Sequence, residues 1–211
     1  MNVTNVMKTI NINGTLMDLA TPRVMGILNV TPDSFFSDSR KQSEQDIVER
    51  CRRIIEEGGT FIDVGAQSTS LAARFLDAKE EAGRLMPALK LIRQEFPEAL
   101  LSVDTFHADV AKQAVEEHGV NMINHISGGQ IDDRMFPVVA ELNVPYVLMH
   151  MKGVPQTMQQ LARYDNFLQE LLYYFSERVA RLNQLGVNDV IIDPGFGFSK
   201  TVALNYELMA Y

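Results

Sequence analysis

The chain has 211 residues, 46% of them hydrophobic and 22% charged, which fits one domain with a sizeable core and leaves no apolar run long enough to span a bilayer. Its formal net charge is -8 with no Lys/Arg block, so a phosphate backbone would be repelled and nucleic acid is excluded as a partner. The single cysteine, Cys51, reads as a structural thiol with no disulfide partner, and the opening residues lack a signal-peptide pattern; a soluble, cytoplasmic protein is the expectation.

In chain order, KTININGTLMDL alternates polar and apolar residues around Asn13-Gly14, which predicts a type I′ β-hairpin over 8–18. From Arg23 onward six short apolar runs follow: VMGILNV, FIDVG, LLSVDT, NMINHIS, PYVLMH and DVIIDPG. Brief and rich in Val, Ile and Leu, they read as strands buried on both faces. Segments with helical spacing lie between them. The first runs from Ser43, placed as N-cap, to Glu57, with Gly58-Gly59 as its stop. The others run from Asp77 to Glu95, His107 to His118, Asp133 to Leu142 and Tyr164 to Leu185, and a last one opens near Thr201.

Six strand–helix alternations argue for an α/β fold with a parallel sheet. An open doubly wound sheet gathers its ligand groups at one switch point, whereas a barrel places a functional residue at the C-terminal end of every strand. Here the strand ends carry Asn29, Asp63, Asp104, Asn124, His150 and Asp193, which favours a (β/α)8 TIM barrel. The chain then reads as a single domain over 1–211, with the barrel from residue 23 onward. Only about six βα units can be counted, so strands seven and eight of a full barrel are expected to be missing and the chain to be truncated at its C-terminus.

Four of those strand-end groups, Asn29, Asp104, Asn124 and Asp193, invite a common explanation. Each alone could cap a helix or a turn. Converging on one barrel mouth without partners, they would cost about 1–3 kcal/mol each, and they suit a planar heterocycle edged with N–H and C=O groups. Asn29 could instead offer oxygen to a hard cation such as Mg²⁺, or, with Thr31, form a turn before Pro32. Phe196 or Phe198 could stack on a ring or belong to the core. His150 reads equally as a structural histidine or a general base. His107, His118 and His125 lack metal-ligand spacing.

The blocks GILNVTPDSFFSDS, IDVGAQSTS, SVDT, NMINHISGG, LMHMKGVPQTMQ and IIDPGFGFSK, in this order, resemble the successive motifs of dihydropteroate synthase from about Val24 to the C-terminus. The resemblance implies a TIM barrel that joins p-aminobenzoate to 7,8-dihydropterin-6-ylmethyl diphosphate, releasing pyrophosphate and forming dihydropteroate for folate biosynthesis. It implies Mg²⁺, a homodimer when full length, sensitivity to sulfonamides, and no protein nucleophile. Carried over by position, Asp104, Asn124, Asp193, Met149 and Phe198 match pterin-binding residues. Asn29 matches the Mg²⁺ and diphosphate contact, Thr69 and Ser70 the diphosphate and p-aminobenzoate side, and Asp33 and Ser34 a mobile loop that closes over the substrates.

This sequence departs from the family pattern at three places. Ser70-Leu71-Ala72 stands where Arg-Pro-Gly is usual after the loop-two Ser-Thr, with Arg74 as a candidate substitute. His125 follows Asn124 where an Asp is usual. The Ser-Arg-Lys and Arg-x-His motifs of the last two barrel strands are not found. Two further readings follow: a related pterin-binding methyltransferase barrel, or a non-catalytic pterin-binding fragment whose sheet edges stay open.

Overall fold

The computed structural model describes residues 8–30, 40–67 and 75–210. It begins with β1 (Thr9–Ile12) and β2 (Thr15–Asp18), an antiparallel hairpin. Its turn residues Asn13 and Gly14 both take positive φ, 51° and 84°, the backbone that a type I′ turn demands and that Asn-Gly adopts with little strain.

Six strand–helix units follow: β3 (Met25–Asn29), α1 (Arg40–Glu56), β4 (Phe61–Gly65), α2 (Ala78–Glu95), β5 (Leu100–Asp104), α3 (Ala108–His118), β6 (Met122–His125), α4 (Met135–Leu142), β7 (Tyr146–Met149), α5 (Phe167–Gln184), β8 (Val190–Asp193) and α6 (Val202–Met209). The strands form one parallel sheet in sequential order, β3-β4-β5-β6-β7-β8. These are six βα units of a TIM barrel. At the two ends of the sheet, Ile27 of β3 and Ile192 of β8 remain 59% and 50% exposed.

Alternation along the strands separates two apolar layers. Ile62, Val64, Leu101, Val103, Ile123, Tyr146 and Leu148 pack outward against the helices. Phe61, Met122 and Val147 face inward near the strand starts, where Ile10 and Ile12 of the hairpin join them. The hairpin thus plugs the N-terminal end of the barrel. Asn11 N donates to Asp189 Oδ1 over 3.0 Å, tying the plug to the turn before β8.

Helix starts show where local signals were overridden. Asp77 caps α2 through a full capping box with Glu80, and Thr201 caps α6 by accepting from Leu204 N. Ser43 is not the N-cap of α1, which starts at Arg40. It continues the buried stripe of Ile47, Cys51 and Ile54 one turn back and is itself buried. α4 starts at Met135 instead of Asp133, because Asp132 accepts from the Arg134 N–H and forms a turn ahead of the helix. α5 starts at Phe167 with Asn166 as its cap, since Tyr164 reaches away to the Ser199 carbonyl. None of the described helices is long and apolar enough to cross a membrane.

Candidate functional site

At the C-terminal ends of the strands, the register brings Asn29, Gly65, Asp104 and Asn124 into one row across β3, β4, β5 and β6. All four share the inward phase of Phe61 and Met122. Gly65 keeps the row open. A Cβ there would lie 3.5 Å from Asn29 Oδ1 and 3.6 Å from Asp104 Oδ2, filling the space between amide and carboxylate.

Asp63 sits one inward position below Gly65, and its Oδ2 accepts from Asn124 Nδ2 over 2.9 Å. That bond fixes the Asn124 amide through its nitrogen. Asp104 Oδ1 has no hydrogen-bond partner among the described residues. Burial pushes the Asp104 carboxyl well above the usual range, and the neighbouring Asp63 and Glu81 charges push it further; burial also raises Asp63. Acceptor atoms held this way, short of donors and away from water, are matched by a ligand edge that brings N–H groups.

The other side of the mouth is built by the loop after β8. Asp193 pairs with Met149 across β7 and β8, and its Oδ1 accepts from Gly195 N over 2.8 Å, closing a tight turn. Gly195 has φ +70°, and any Cβ there would run into the His150 carbonyl. Lys200, almost fully buried, donates to Gly195 O and Phe198 O, both at 2.9 Å, and to His150 Nδ1 at 3.0 Å. His150 must therefore be neutral with its proton on Nε2. Burial, and then the Lys200 charge, holds it down at about 3. This decides between its two readings: His150 is an acceptor that anchors Lys200, not a free base. Met149 joins Phe106, Ile126, Met151 and Met158 in a buried cluster against which Phe198 packs, an apolar wall beside Asp193. Phe196 points outward and is 47% exposed.

His125 stands outside the barrel interior. Its Nδ1 donates to Thr105 O (2.8 Å) and its Nε2 accepts from Ser127 Oγ (2.6 Å), so the ring is neutral. Burial lowers it to about 4. No acid is needed there, because the imidazole bridges the loops after β5 and β6 on its own. Thr69, Ser70, Asp33, Ser34, Thr31 and Arg74 lie outside the described residues. No group of three or more His, Cys, Asp or Glu among the described residues could hold a metal ion. Asn29 offers one neutral oxygen, which suits a magnesium ion that arrives with a phosphate-bearing ligand and keeps most of its waters.

The sequence singled out Asp104, Asn124 and Asp193 but left out the groups that hold them. Asp63 was legible, since FIDVG places it two residues before Gly65 on one face. Lys200 ends the IIDPGFGFSK block. Glu81 gave no signal, because an acidic residue in a first helical turn normally faces solvent.

With this geometry, the model of the family described as pterin binding enzyme matches residues 25–211. The dihydropteroate synthase of Escherichia coli K12 is 40% identical over 201 residues, covering 93% of this chain and 70% of that protein. The chain belongs to the dihydropteroate synthase family of pterin-binding enzymes. The mitochondrial bifunctional folate synthesis protein of Pisum sativum is 46% identical over 184 residues, 84% of this chain and 35% of that protein. The Yersinia pestis dihydropteroate synthase solved with a sulfonamide drug superposes with a TM-score of 0.83 at 35% identity, covering 96% of this chain and 73% of that one. Thus the chain spans 24% to 40% of the length of the fungal and plant folate synthesis proteins that it matches.

Proposed function

We propose that the protein is a dihydropteroate synthase that condenses 7,8-dihydropterin-6-ylmethyl diphosphate with p-aminobenzoate. The observation that carries this reading is the inward row of Asp104 and Asn124 with Asp193 opposite, in which Asp104 keeps a buried acceptor atom without a donor. In this reading Asp104 and Asp193 accept N–H bonds from the pterin ring, and Asn124, oriented by Asp63, presents its amide oxygen. Met149 and Phe198 cover one face of the ring. Depth in the barrel excludes water from the ring edge while its methylene carbon faces the mouth.

There the C–O bond to the diphosphate breaks, its electron pair leaving with pyrophosphate, and the amine nitrogen of p-aminobenzoate forms the new C–N bond and sheds a proton to water. The electron-rich pterin stabilises the developing cation, so no side-chain nucleophile takes part. Mg²⁺ would supply charge neutralisation to the leaving group, with Asn29 as its protein oxygen. Thr69 and Ser70 are assigned to the p-aminobenzoate and diphosphate side, and Asp33 and Ser34 to loop closure. The same reading makes residues 1–211 a single pterin-binding domain in a cytoplasmic setting. Exposed Leu172 and Tyr173 on α5, with Val202, Tyr206 and Met209 on α6, support a homodimer.

The test is calorimetric titration with pteroic acid, followed by incubation with both substrates while dihydropteroate and pyrophosphate are measured. Saturable pterin binding that weakens about a hundredfold in Asp104→Asn is expected, from the loss of charge-assisted hydrogen bonds. Absence of pterin binding by the unsubstituted chain would overturn the reading.

A further inference from the structure

Behind Asp104 lies a buried polar group that the proposed chemistry does not use. Glu81, in the first turn of α2, is 1% exposed. Its Oε2 accepts from Thr105 Oγ1 over 2.9 Å, while its Oε1 has no partner among the described residues. Thr105 directly follows Asp104 and is engaged at every polar atom. Its N–H donates to Asn124 O (3.3 Å), its carbonyl accepts from His125, and its hydroxyl also accepts from His107 N (3.1 Å). One residue thus links α2, the end of β6 and the start of α3 immediately after the carboxylate.

We propose that Glu81, acting through Thr105, is a positioning residue for the Asp104 carboxylate in ligand binding. The reasoning rests on the pterin reading of the site. A strand end that turns away from the sheet right after Asp104 leaves the carboxylate direction to the loop, and the loop is held by the Thr105 bonds. Burial raises the Glu81 carboxyl to about 7, so it ionises in the neutral range. The groups facing it are Asp104 of β5, Asp63 of β4 beyond it, and His107, whose Nε2 lies 3.8 Å from Oε2. Its own helix adds Asp77, Glu80 and Arg84. When Glu81 loses its proton, a negative charge appears behind Asp104, and ligand affinity changes with it.

Binding of pteroic acid is measured by calorimetry from pH 6 to pH 8 on the full chain and on Thr105→Val, Thr105→Ser, Glu81→Gln and Glu81→Met. Thr105→Val is expected to weaken binding about tenfold, the worth of one buried hydrogen bond, and Thr105→Ser to restore it. Glu81→Gln keeps an acceptor for Thr105, so it should bind as the unsubstituted chain does at pH 6 but lose the part of the pH dependence centred near 7. Glu81→Met should weaken binding at every pH. Equal affinity in Thr105→Val and the unsubstituted chain overturns the inference, as does an unaltered pH profile in Glu81→Gln. If Thr105→Val does not fold, the two Glu81 variants decide on the same criteria. No binding by the unsubstituted chain would instead refute the pterin reading beneath it.

Discussion

The two ends of the barrel are made from the same strands and differ in almost every property. Near the strand starts, Phe61, Met122 and Val147 close on Ile10 and Ile12. Two to four residues further along, the same inward phase carries Asp63, Gly65, Asp104 and Asn124. The first end is stabilised by burial, each large side chain contributing about 1.5–3 kcal/mol. The second holds acids raised by desolvation, which costs stability and leaves acceptors waiting for donors. A parallel strand in a barrel can therefore assign stability to one end and recognition to the other with a few residues between them.

The sharpest attack on that division is Phe61→Ala. It should lower stability by about 3–5 kcal/mol in denaturant unfolding, while folded molecules bind pteroic acid as before. A tenfold loss of affinity would show that the ends are coupled. Asp104→Asn should do the reverse, costing about 3 kcal/mol of pterin affinity with the melting temperature held or raised, because a buried acid disappears. A melting loss like that of Phe61→Ala would contradict the comparison.

The pH dependence of stability tests the groups packed around the strand ends. His125 sits at about 4 in the fold against an ordinary 6.5, so the unfolded chain binds the extra proton between these values and stability falls as pH drops through that window. The full effect is on the order of 3 kcal/mol, and a pH series of unfolding curves on His125→Asn should lack it. Glu81, raised from 4.5 to about 7, has the opposite sign: its contribution is present below 4.5 and is lost as pH rises to about 7. Smallest of all, Gly65→Ala should weaken pteroic acid binding about tenfold by placing a methyl between Asn29 and Asp104. Stability should move by less than about 1 kcal/mol, since φ is not positive and the nearest contacts are ordinary.

Much of this molecule is legible in its sequence. Strands come from unbroken apolar runs, and the run FIDVG matches β4 residue for residue. The row of Asn29, Asp104 and Asn124 follows from strand ends and period two. What stayed hidden depends on distance in space. The Ser43 hydroxyl mimics a cap until the stripe of Ile47, Cys51 and Ile54 is seen to continue through it. His125 looks like the loss of an acid until the Thr105 carbonyl and Ser127 hydroxyl stand 2.8 and 2.6 Å from its ring. Glu81 belongs to the site only because α2 leans its first turn on Thr105, a contact across 24 residues.

The plug has one more consequence, for the order of assembly during synthesis. Every barrel strand pairs with its neighbour in sequence, so each unit can add to the last as it leaves the ribosome. The hairpin cannot follow that rule. It is made before the barrel strands, yet its seat includes Phe61, Met122, Val147 and Ile191, and its tether is Asp189. At roughly 5–20 residues per second, Ile10 and Ile12 wait on the order of 10–40 s for a complete binding surface. The interleaved Thr9 and Asn11 of TINI keep that waiting strand half polar, which limits its pairing with other nascent chains. The hairpin precedes every barrel strand in the chain and is among the last of these elements to be buried.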